Sequence, residues 1–166
     1  LLSFFPVRER GRIALLLAST TISGLLQAVG VAAIMPFIAL VTDPGLIEAG
    51  WVDELVGHLR DQGVQAHVWS ALTPNPKDHE IRAGHEFYRA HGCDVLIALG
   101  GGSVIDAAKG IAILAANGGD ILDYAGVDKA TMPIPPLVCI PSTSGTGADV
   151  SQFCIVTDTN RGTKIT

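Results

Sequence analysis

Gly100, Gly101, Gly102 and Ser103 follow directly on an uncharged run that ends at Leu99, and a helical pattern of Val104, Ile105, Ala107, Ala108, Ile111 and Ala112 begins beyond them. With no side chains in the glycine turn, main-chain N–H groups face outward and a bulky anion can approach the backbone closely. Ser103 reads as the N-cap of the helix, with Asp106 at capping-box spacing. The free amides and the positive end of that helix then face whatever lies over the glycines, and a phosphate or pyrophosphate is the natural occupant. The strict GxGxxG fingerprint is not met, and a turn of this kind also serves simply to let strand and helix pack closely. A second stretch, residues 140–149 (IPSTSGTGAD), again places hydroxyls and glycines after an apolar strand. Ser142, Thr143, Thr146 and Ser151 supply hydroxyl donors there, and two such loops off one sheet can converge on one ligand.

The elements that must carry these loops are readable from periodicity. Residues 95–99 are apolar at every position, as in a parallel strand covered on both faces. Residues 37–42 are a similar run with Asp43 at its carboxyl end, where open α/β sheets bind ligands. An acid at that place commonly takes ribose hydroxyls, and the alternative is an Asx turn before Pro44-Gly45. Val52, Leu55, Val56 and Leu59 recur at helical spacing, giving an amphipathic helix over 48–62. Residues 64–72 form a strand, broken by Thr73-Pro74-Asn75-Pro76, and 77–91 a second helix. The third helix ends at Gly118-Gly119, residues 120–132 are a loop, and strands follow over 137–140 and 153–157, with a polar hairpin turn over 158–162. Strands alternating with helices define a Rossmann-like, mostly parallel α/β domain with flanking helices.

The net charge of −5 and the lack of a basic block exclude a nucleic-acid surface. The three cysteines, Cys93, Cys139 and Cys154, form no CxxC pair and read as buried free thiols in a reducing, cytoplasmic compartment, with metal ligation as the minor alternative. The five histidines include no HExxH pair and read as solvated.

Residues 13–42 carry no charge, a run longer than the roughly twenty residues that cross a bilayer. A hydrophobic N-terminal helix is therefore expected before the α/β domain, dividing the chain at 1–36 and 37–166. The segment is a membrane anchor with contact through residues 13–35, a helix buried against the domain or a partner, or one of two coding regions joined at a shared apolar strand. Three arginines before the run would keep the N-terminus cytoplasmic and export the rest of the chain, which conflicts with a nucleotide site.

Residues 100–110 (GGGSVIDAAKG) and 141–150 (PSTSGTGADV), with Asn75-Pro76 and Val41-Thr42-Asp43, resemble the iron-containing (group III) alcohol dehydrogenase family over about residues 37–166. The resemblance implies hydride transfer between a primary alcohol or aldehyde and nicotinamide, with NAD as cofactor and Fe2+ or Zn2+ polarising the substrate oxygen. It implies that Gly101, Gly102 and Ser103 hold the pyrophosphate. Asp43 and Asn75 would address the adenosine side, Asp43 favouring NAD over NADP, and Ser142, Thr143 and Thr146 would line the nicotinamide side. Lys164 stands where the family has a lysine. The family's metal ligands come from a following helical domain, so the resemblance implies a chain truncated before that domain. Such a chain would have no catalytic or metal-ligating residue of its own and no turnover, and would bind NAD weakly or not at all. The full-length family implies homo-oligomers. Ser142 replaces the usual threonine and Asp149 a frequent glutamate, and residues 150–165 (VSQFCIVTDTNRGTKI) are similar to a branch of alcohol-dehydrogenase-like regulatory proteins. Residues 4–44 resemble the first membrane helix of exporter-type ABC transporters. A non-catalytic regulator and a membrane-anchored transporter fragment fused to the domain are thus the alternatives to an oxidoreductase.

Overall fold

The computed structural model describes residues 36–166. The N-terminal helix and the membrane contact expected over residues 13–35 lie outside them. Among the described residues no helix is long and apolar enough to cross a membrane.

Four strands, β1 (Phe37–Thr42), β2 (Gln65–Trp69), β3 (Val95–Gly100) and β4 (Leu137–Pro141), form one sheet in the order β2-β1-β3-β4. Every pairing in it is parallel. The helices are α1 (Pro44–Glu48), α2 (Trp51–Asp61), α3 (Asp78–Ala90) and α4 (Gly102–Asn117), with a 3-10 turn at Ile121–Tyr124. The expected α/β architecture, with a parallel sheet and flanking helices, is the one observed. Alternation along the central strands explains its layers. Ile38, Leu40, Ile97 and Leu99 pack with Val52 of α2 in one core, while Ala39, Val41, Leu96 and Ala98 pack with Ile81, Ile105 and Ile111 of α3 and α4 in the other. A strand buried on both faces has no polar alternation, which is why these runs are continuously apolar.

Several boundaries differ from the sequence reading, each for a local reason. The helix expected over 48–62 is α2, which starts at Trp51 because Gly50 takes the left-handed region (φ 81°), and it is preceded by a short helix the sequence reading did not expect, α1, opened by Pro44. The loop expected over 120–132 begins with the 3-10 turn, where the Asp120 carboxylate accepts from Leu122 N at 3.0 Å. The strand expected over 153–157 is shorter and later, β5 (Val156–Asp158), and pairs with β6 (Thr163–Ile165) as a separate antiparallel hairpin. Its turn is polar as expected: Asp158 Oδ1 accepts from Asn160 N and Arg161 N. In the exporter-like stretch, the described part, residues 36–44, holds the strand β1 and only the first residue of α1, so the membrane-helix resemblance gains no support there.

Gly100 belongs to this packing rather than to any ligand. A Cβ there would lie 2.5 Å from Val104 Cγ2 and 2.7 Å from Val104 Cβ, so the absence of a side chain lets α4 start against the end of β3. Gly100→Ala is expected to lower unfolding free energy by about 1–3 kcal/mol, the usual cost of overpacking. Adding Val104→Ala should recover part of the loss in urea denaturation, and a Gly100→Ala chain as stable as the parent would refute this role.

Candidate functional site

A cleft of about 470 Å³ opens at the carboxyl edge of the sheet, and the loop after every one of the four strands contributes to it. Asp43 and Pro44 follow β1, Leu72 to Pro74 follow β2, Gly101 to Val104 follow β3, and Ser142 and Thr143 follow β4. The chain runs from β1 outward to β2 and then crosses back to β3 on the other side of β1, so the cleft spans the point where the strand order reverses. Open parallel sheets bind ligands at such switch points because adjacent loops diverge there and leave a crevice.

The glycine turn and the hydroxyl loop share this hollow. A Cβ on Gly101 would sit 3.2 Å from Thr143 Oγ1, and one on Gly102 would sit 3.4 Å from Thr146 Cβ. The N-cap of α4 is Gly101, not Ser103, and no side chain caps it. The amides of Gly102 and Ser103 therefore have no acceptor among the described residues and stand at the positive end of the helix dipole, where negative charge is favoured. Ser103 fails as a cap because it already lies in the first helical turn; its Oγ instead accepts a hydrogen bond from Asn75 N at 3.0 Å.

Asn75, Thr146 and Ser151 are not among the residues lining the cleft, although Thr146 packs against Gly102. Asn75 adopts a left-handed backbone (φ 58°), its amide fixes Ser103, and its Oδ1 accepts from Lys164 Nζ at 2.7 Å. It meets the glycine turn through that hydrogen bond to Ser103. Ser151 is not brought to the cleft: its hydroxyl lies 3.3 Å from both Lys109 Nζ and the Phe153 carbonyl oxygen. Asp43 makes the Asx-type turn that the sequence offered as one alternative, and it borders the cleft. Its Oδ1 accepts from Leu46 N at 3.2 Å, capping α1.

Sequence reasoning missed Thr73 as a wall residue. Its hydroxyl donates to Glu80 Oε1 at 2.7 Å and accepts from Lys77 Nζ. The signal was available, since Thr73 sits in the turn at the carboxyl end of the second strand, but nothing local distinguishes it from ordinary turn chemistry.

None of the thiols is poised to react. Burial pushes Cys93 and Cys154 up to about 11 and raises Cys139 as well, so all three stay protonated at neutral pH. Among the described residues no three His, Cys, Asp or Glu side chains gather where they could hold a metal ion, so no step through a metal is assigned to them.

Fold and cleft together define an open parallel α/β domain with a glycine turn and an uncapped helix N-terminus at its switch point. The sequence model of the iron-containing alcohol dehydrogenases matches residues 22–166, and this chain belongs to that family. The match begins upstream of Phe37, where the resemblance was expected to start. The chain is 42% identical over 127 residues to a 1,3-propanediol dehydrogenase of Citrobacter freundii, covering 75% of this chain and 33% of that protein. It is 41% identical over 126 residues to an alcohol dehydrogenase 4 of Schizosaccharomyces pombe, covering 76% and 30%. The crystal structure of a sulfoacetaldehyde reductase from Bifidobacterium kashiwanohense in complex with NAD+ superposes with a TM-score of 0.70 at 28% identity, covering 84% of this chain and 36% of that one. The chain thus spans about a third of the length of the curated relatives it matches.

Proposed function

We propose that this chain is the NAD(H)-binding part of an alcohol-dehydrogenase-like oxidoreductase whose substrate is a primary alcohol or aldehyde. The observation that carries the reading is the shared hollow: uncapped amides of Gly102 and Ser103 on one side, with Thr143 and Thr146 against the glycines on the other. The similarity to a reductase solved with NAD+ supports the same cofactor. When bound, the nicotinamide would accept or deliver the hydride.

The residues of this chain bind and orient. Gly101 and Gly102 let the diphosphate reach the main chain, and the amides of Gly102 and Ser103 donate to its oxygens. Asn75 and Lys164 keep Ser103 in place. The Asp43 carboxylate accepts from ribose hydroxyls and repels a 2′-phosphate, while Ser142, Thr143 and Thr146 flank the path toward the nicotinamide.

Titration of the 15N-labelled chain with NADH to millimolar concentration tests this directly. Amide shifts should concentrate at Gly101, Gly102, Ser103 and Thr143, and NADPH should bind at least about tenfold more weakly, roughly 1.4 kcal/mol. Shifts confined to the far side of the sheet, or none at all, would overturn the assignment.

A further inference from the structure

Lys109 lies outside the cleft, two turns along α4 from Gly102, and it touches none of the cofactor-facing residues. It is 8% exposed. Its Nζ donates to the main-chain oxygens of Ala148, Ser151 (2.6 Å) and Phe153 (2.9 Å), with Ser151 Oγ at 3.3 Å. No carboxylate hydrogen-bonds it, although the Asp106 carboxyl one turn earlier on α4 lies close enough to feel its charge. A buried ammonium survives only where other dipoles replace its water, and here three carbonyls do so. Loop and lysine are therefore coupled: the loop is the solvation shell of the cation, and the cation holds the loop.

That loop is the one that faces the glycines. It leaves β4 with Ser142 N donating to Gly100 O at 2.9 Å, passes over Gly101 and Gly102 with Thr143 and Thr146, and ends on Lys109. Between its two attachments Gly145 and Gly147 adopt left-handed backbones (φ 81° and 67°), and the span's own hydrogen bonds gather at the end near Lys109, where Val150 N and Ser151 N donate to Gly147 O. Both walls of the hollow thus refer to one rigid helix. The first turn of α4 supplies the amides, and a point about 10 Å further along supplies the anchor of the opposing loop.

We infer that Lys109 is a positioning residue of the cleft, setting the height of Thr143 and Thr146 above the glycine turn and thereby the affinity for a diphosphate-bearing ligand it never touches. The identity of that ligand rests on the proposed function; the anchoring does not.

Amide hydrogen exchange and NADH titration of Lys109→Met separate the two. Exchange across residues 143–150 should rise about tenfold or more while amides of β1 and β3 keep their protection, and NADH affinity should fall about tenfold. Lys109→Arg, which keeps the cation, should recover part of both. A uniform rise in exchange, or unchanged protection at 143–150, would reduce Lys109 to a general stability residue and overturn the inference. So would a local rise in exchange with undiminished NADH affinity. If the parent chain shifts no amide with NADH while Lys109→Met still loosens 143–150 alone, the anchoring stands and the cofactor reading fails. Should Lys109→Met not fold, Lys109→Arg alone decides: altered guanidinium geometry should loosen 143–150 locally and weaken NADH severalfold, and parent-like values in both would overturn the inference.

Discussion

Gly102→Asp is expected to weaken NADH binding at least about 100-fold while leaving the fold intact. A Cβ at Gly102 meets Thr146 Cβ at 3.4 Å, an ordinary contact, and its backbone does not need the left-handed region. Aspartate in the first turn of a helix is itself favourable, so stability should hold. The new carboxylate, however, competes for the amides of its own turn and stands where the diphosphate must enter. Two like charges about 4 Å apart at an effective dielectric near 20 repel by roughly 4 kcal/mol, so even partial screening leaves a loss of two orders of magnitude. The change belongs to binding rather than folding, the reverse of what Gly100→Ala should show two residues earlier. Titration of both variants with NADH beside their thermal unfolding curves checks the contrast. Undiminished affinity in Gly102→Asp would mean that the anion does not approach this turn.

Arg82→Met carries the largest expected loss of stability, about 2–3 kcal/mol at neutral pH. The Arg82 guanidinium binds Asp120 through Nε at 2.6 Å and Nη2 at 3.0 Å, and Asp78 Oδ2 through Nη1 at 2.7 Å. Asp78 is buried and also accepts from Thr159 N and Oγ1, so one cluster joins α3, the 3-10 turn and the β5–β6 hairpin. Removing one partner strands a buried carboxylate, which costs about 3–5 kcal/mol in fully buried pairs. Arg82 and Asp120 are partly exposed here, and solvent screening lowers the figure.

The pH dependence of that loss has a definite sign. Burial alone would raise the Asp78 carboxyl, but hydrogen bonds from Thr159 and Arg82 outweigh it and bring it down from 3.8 to about 2. A carboxyl depressed in the folded state contributes stability that is present above its unfolded value and lost as pH falls from about 4 to about 2. Arg82 moves the other way, held charged first by its hydrogen bond to Asp120. The gap in unfolding free energy between parent and Arg82→Met should therefore narrow as pH falls through that window. Urea denaturation at several pH values measures it, and a gap of constant size would exclude the Asp78 ion pair as its source.

Legibility in the sequence differs from element to element. The strand runs at residues 37–42 and 95–99 and the helices around Ile81 and Ile111 are legible because a strand buried on both faces, or a helix buried on one, must write its period into the chain. The glycine turn was legible because only glycine permits that approach of strand, helix and the opposing loop. The split of α1 from α2 depended on one left-handed glycine, and two residue types, Pro44 and Gly50, carried the signal without its being decisive.

The sequence by itself determined the class of fold and the two loops that face the cleft, through spacing within a few residues, and the family through the resemblance of its two glycine-containing motifs. Only the tertiary structure decided what the individual side chains do. It gave Gly100 to Val104, Ser103 to Asn75, and Ser151 to Lys109, across separations of up to 42 residues for which no local pattern encodes a partner. Periodicity reports which face of an element is buried. Which atom lies against which is set only when the sheet order brings the ends of β1, β2, β3 and β4 to one edge.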